Sequence, residues 1–95
     1  MGQDVTRATR YPTSMALMNE MRSIHGSYNK ASKALGIPWA TVAMVTSGAK
    51  PLPIAAAVKI AKILARDPLV TLAQVEAEHT SGWIQSVWLD ICQMR

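Results

Sequence analysis

The chain has 95 residues, 49% hydrophobic and 17% charged, with a net charge of +4 and one cysteine, Cys92. That length allows one small core, the composition excludes a disordered chain, and a lone cysteine excludes an internal disulfide framework. Charge is uneven: residues 1–66 hold nine Lys/Arg against two acids, a balance of +7, and residues 67–95 hold four acids against Arg95, a balance of −3, so the first part suits a polyanion.

Residues 1–13 show no periodicity and carry Arg7 and Arg10; they are expected to form a flexible basic arm. The start, MGQDVTRATR, has no apolar stretch of the kind a signal peptide needs, so the expected location is the cytoplasm. Thr13-Ser14 suits a helix cap, and Met15, Leu17, Met18, Met21 and Ile24 then recur at helical spacing until His25-Gly26. Ser27 can cap a short second helix, Tyr28 to Leu35, ended by Gly36. Ile37-Pro38 breaks the chain, since the residue before proline is pushed to an extended conformation. A third helix follows from about Pro38 or Trp39 to Ser47, with Gly48 as its stop.

Pro51-Leu52-Pro53 reads as a rigid connection into a fourth helix, Pro53 to Ala65, with Ile54, Val58, Ala61 and Leu64 on its apolar face and Ile60 beside it. Asp67-Pro68 restarts the chain as cap and first residue of a fifth helix bearing Leu69, Leu72, Val75 and Ala77. Thr80-Ser81-Gly82 is a hinge before a last helical stretch, Trp83 to Met94. No stretch alternates as a strand would, so the expected class is all-α, with five to six short helices. The longest uncharged run, Ala34 to Ala49, is interrupted by Gly36 and Pro38 and falls short of the ~18–20 residues that span a bilayer.

Two short helices meeting at a glycine turn make a helix-turn-helix pattern, whose packing needs apolar contacts, a small residue at closest approach and glycine at the turn. Ala31, Leu35, Ile37, Val42 and Val45 fill the apolar slots, Ser32 is the small residue and Gly36 the turn. On SYNKASKALGIPWATVAMVTSGAKPLP and the following AAVKIAKILARDP, the sequence resembles Cro and lambda-repressor regulators, the family also named after the xenobiotic response element, in its small phage or prophage type. The likeness covers residues 14–70 and leaves 71–95 as a helical extension.

The resemblance implies a transcriptional regulator, repressor-like, that binds a double-stranded DNA operator with its third helix in the major groove. Base contacts would fall to Tyr28, Trp39, Ala40, Thr41, Ala43, Met44 and Lys50; of these, Trp39, Ala40, Ala43 and Met44 are expected on the exposed face. Phosphate contacts would fall to Arg7, Arg10, Arg22, Ser27, Lys30, Lys33, Thr46 and Ser47. One feature departs from the family. Base readout usually relies on Arg, Gln or Asn, and the third helix has none. It either reads T-rich or deformable sites by apolar contact and shape, or binds protein as a helical module or antirepressor that keeps the fold without reading DNA.

Trp83, Ile84, Val87, Trp88 and Ile91 give the last helix more apolar surface than a free helix can carry. They either pack back on the chain or join two copies, and a homodimer fits operators with two half-sites. Catalysis is not expected: His25, His79 and Cys92 are scattered, with no metal-ligand spacing or phosphate loop, and Glu76 with His79 reads as a surface charge pair. Neither cofactor, metal nor small-molecule ligand is implied.

Overall fold

In the computed structural model, which describes residues 11–94, every regular element is an α-helix: α1 (Pro12–His25), α2 (Tyr28–Leu35), α3 (Trp39–Thr46), α4 (Ile54–Ile63), α5 (Pro68–His79) and α6 (Gly82–Met94). Arg7 and Arg10 lie outside the described residues. The chain is thus all-α with six helices and no strand among the described residues. None of the described helices is long and apolar enough to cross a membrane.

The first helix begins at Pro12, so Pro12 and Thr13 belong to α1 and not to the arm. Its cap is not the expected Thr-Ser pair but a carboxylate from the far end of the chain. Glu78 accepts hydrogen bonds from the N–H groups of Thr13 (2.6 Å) and Ser14 (2.9 Å), two of the donors that a helix start leaves without partners. Its negative charge also opposes the positive end of the α1 dipole.

Gly36 shows why a glycine is favoured between α2 and α3. Its φ of 70° is left-handed, and the turn closes with Gly36 N–H on the Lys33 carbonyl and Ile37 N–H on that of Ser32. Ser32 is buried because its hydroxyl returns the bond, donating to the Ile37 carbonyl at 2.6 Å. The same pair of closing bonds ends α4, with Ala65 taking the left-handed position at φ 56°. That is why α4 stops at Ile63 and does not continue to Ala65.

The core gathers Leu17, Met18 and Met21 of α1, Ala31 and Leu35 of α2, Val42 and Val45 of α3, and Ile60 of α4. Two expected faces hold only in part: Ile60, Ala61, Val75 and Ala77 are buried as expected, and the rest of each face is displaced. In α4 the buried residues are Ala56, Ala57, Ile60 and Ala61, while Val58 is half-buried and Ile54 and Leu64 only flank the core. In α5 they are Thr71, Ala73, Val75 and Ala77, and Leu69 is exposed. Both helices are packed on more than one side: α4 meets α1, α2 and α5, and α5 meets α1, α4 and α6. Small side chains occupy the closest approaches there, and the larger ones are left at the margins. Ile24, expected in the core, is exposed in the last turn of α1.

Leu52 is more than a connector. Its side chain is fully buried; its N–H donates to the Ser14 hydroxyl at 2.7 Å, and its carbonyl accepts from His79 Nε2 at 2.6 Å. A carbonyl can only accept, so that ring nitrogen carries a proton. Glu78 and His79 therefore tie α5 to α1 and to the Pro51–Pro53 link. The expected surface pair of Glu76 and His79 is replaced by this internal use.

Candidate nucleic-acid interface

The α2–turn–α3 unit is built from two eight-residue helices. Ser27 starts α2 by accepting from Lys30 N–H at 3.1 Å. Pro38 stands at the start of α3 with no side-chain cap, and its carbonyl accepts from Thr41 and Val42. The N–H groups of Trp39 and Ala40 are left at the open end of the helix, where the dipole favours an anion.

Val42 and Val45 are fully buried, fixing which side of α3 faces outward. That outward side carries Trp39 (54% exposed), Ala40, Met44 (43% exposed) and Ser47, with Lys50 exposed just beyond. Thr41, Ala43 and Thr46 are half-buried, because α3 packs against both α1 and α2 and the covered arc is wide. Ala43 therefore sits at the edge of the open face and not on it. The hydroxyls of Thr46 and Ser47 donate to the carbonyls of Ala43 and Met44, leaving their oxygens as acceptors.

Arg22, Lys30 and Lys33 are exposed on α1 and α2. Tyr28 is half-buried against the core, and the Arg22 guanidinium lies over its ring, 5.6 Å from the centroid. That stacking holds Arg22 at the corner between the two helices. Lys59, which the sequence reading did not single out, comes from α4 to the same turn, its Nζ 3.5 Å from the Leu35 carbonyl. A cation there also suits the negative end of α2.

Between Met21 and Arg66 the chain holds seven Lys/Arg and no acid. Among the described residues the ion pair is Arg66 with Glu20, 2.7 Å apart and half exposed. Arg22, Lys30, Lys33 and Lys50 make no such pair there, so their charge is available to a partner.

Elsewhere the chemistry differs. A cleft of about 640 Å3 opens between the start of α1 and the α5–α6 hairpin, lined in part by Thr13, Glu78, His79, Gln85 and Cys92, and takes in none of the residues above. Burial pushes the Cys92 thiol up, and its Sγ lies 3.8 Å from the Val70 carbonyl. No group of three or more His, Cys, Asp or Glu among the described residues could hold a metal ion.

Fold and site together define a small all-helical protein whose basic end presents one short, exposed, mostly apolar helix. No protein-family model matches this chain, and neither a curated protein nor a solved structure matches it.

Proposed function

We propose that the protein is a sequence-specific double-stranded DNA-binding regulator of the Cro and lambda-repressor kind, with α3 entering the major groove. The observation that carries this reading is the open face of α3 within a surface supplied with unpaired cations and no free acid. Phosphates would be met by Arg22, Lys30, Lys33 and Lys50 and by the free start of α3. Trp39, Ala40 and Met44 would meet base edges, favouring thymine methyls and deformable steps over paired hydrogen bonds.

Binding of this kind releases counterions, so affinity falls steeply with salt. Lys50→Ala is expected to weaken binding on all sequences and to flatten the log K against log salt slope by about one unit. The check is a gel-shift titration at two salt concentrations. Trp39→Ala is expected instead to narrow the gap between preferred and random duplexes.

One observation favours a second reading. With no Arg, Gln or Asn on α3, the Trp39–Met44 face also suits an apolar groove on another protein, as an antirepressor would require. Absence of any DNA binding at micromolar protein and low salt would leave that reading standing alone.

A further inference from the structure

The cleft between the start of α1 and the α5–α6 hairpin has a chemistry that the DNA-binding reading does not use. Its volume, about 640 Å3, is within the range of small-molecule sites. Among the described residues no Lys or Arg lines it, and Glu78 is its one acid.

The walls are rich in acceptors. The Glu78 carboxylate takes three hydrogen bonds from Thr13 and Ser14, out of roughly four lone-pair sites, so one direction stays open. Gln85 Nε2 donates to the Ala77 carbonyl and the Thr80 hydroxyl to that of Glu76, which leaves Gln85 Oε1 and Thr80 Oγ1 to accept. His79 uses its Nε2 proton on the Leu52 carbonyl, so Nδ1 of the neutral ring accepts as well. Gln74, Ser81 and Gln93 also line the cleft, and among the described residues their side chains make no hydrogen bond.

Three helix ends meet there, and their charges fix the sign of the site. The end of α5 contributes about −0.5 of a charge, and the starts of α1 and α6 about +0.5 each. With the full charge of Glu78 the cleft is left negative by about half a charge.

We propose that this cleft binds a small, singly charged, hydroxylated amine, with its ammonium against Glu78 and its hydroxyls on the amides of Gln74, Gln85 and Gln93. An ammonium has three donors and no acceptor, which matches walls of acceptors without a cation. Amides both donate and accept, as hydroxyls do and alkyl chains do not. An anion would face Glu78 with no Lys or Arg to balance it. The site goes beyond the DNA-binding reading, takes in no residue of α3, and is tested without DNA.

Glucosamine, glucose and glucuronate are matched probes that share a hydroxylated ring and carry positive, zero and negative charge. In NMR titrations at pH 6 and equal ionic strength, glucosamine should move the Gln74, Ser81 and Gln93 amide signals and saturate by about 50 mM. Glucose should bind at least tenfold more weakly, and glucuronate should leave these signals in place. Gln74→Lys and Gln93→Lys set a cation at the cleft; each should weaken glucosamine binding at least tenfold with unchanged helical circular dichroism. Gln74→Glu should tighten it. No saturable shift with glucosamine would overturn the proposal, as would equal binding of glucose, preference for glucuronate, or folded Lys variants that bind within a factor of two of wild type.

Discussion

Glu78→Ala is expected to lower stability by about 2–4 kcal/mol, the largest loss of any exposed or half-buried substitution outside the apolar core. The carboxylate binds Thr13 and Ser14 N–H and the Ser14 hydroxyl. Its removal leaves two helix-start donors and the proton of the buried Ser14 hydroxyl without an acceptor, the hydroxyl oxygen keeping only the bond from Leu52 N–H. In a domain this size the melting temperature should fall by roughly 10–20 °C. Ser14→Ala should cost less, because it strips the Leu52 N–H of one acceptor but leaves Glu78 on the helix start. The double variant should lose less than the two single losses combined, since both act on one network. Chemical denaturation of the four proteins measures this; a Glu78→Ala protein within about 0.5 kcal/mol of wild type contradicts the capping role.

Ala40→Glu is expected to abolish DNA binding while leaving the fold intact. Ala40 is exposed in the first turn of α3. A carboxylate there stabilises the helix by ~0.3–1 kcal/mol through the dipole. The same charge would face phosphate across the proposed interface, and affinity should fall by about a hundredfold or more, some 2.7 kcal/mol. Ala40→Lys reverses the pattern, with equal or tighter DNA binding and a slightly weaker helix. Titration of labelled duplex alongside thermal melts separates the two effects. An Ala40→Glu protein that binds within about a factor of two of wild type would place the contact elsewhere.

What could be read from the sequence was local. Ser27, Gly36 and Asp67 start or stop helices through bonds to neighbours in the chain, and the structure uses each as the residue type predicts. The packed slots Ala31, Ser32, Leu35, Val42 and Val45 were equally legible, because one glycine turn leaves two short helices few ways to meet. Burial in α4 and α5 was legible only in part: Ile60, Ala61, Val75 and Ala77 are buried as their spacing predicts, but Ala56, Ala57, Thr71 and Ala73 are buried where Ile54, Leu64 and Leu69 were expected. Alanines and Thr71 won the contacts there because helices packed on several sides approach closely, a matter of tertiary arrangement and not of hydrophobicity.

The junction of Ser14, Leu52, Glu78 and His79 joins residues 27 to 64 positions apart. No periodicity signals such partners, and Glu78, one of the four tail acids, caps α1 from the far end of the chain. At α3 the spacing placed Trp39, Ala40 and Met44 outward, whereas Ala43 sits at the edge because α1 also covers that helix. Lys59 escaped notice because only the fold brings α4 to the turn.

The central claim, that α3 is the surface that meets DNA, is tested most directly by NMR titration of the protein with a short duplex. The account predicts that the Trp39 indole, the Ala40 and Met44 methyls and the Lys30, Lys33 and Lys50 amides shift together, and that they return as salt is raised. Signals from Trp83 and Val87 on α6 should stay unchanged at fixed protein concentration. Shifts confined to α6, or none at all at millimolar duplex, would contradict it.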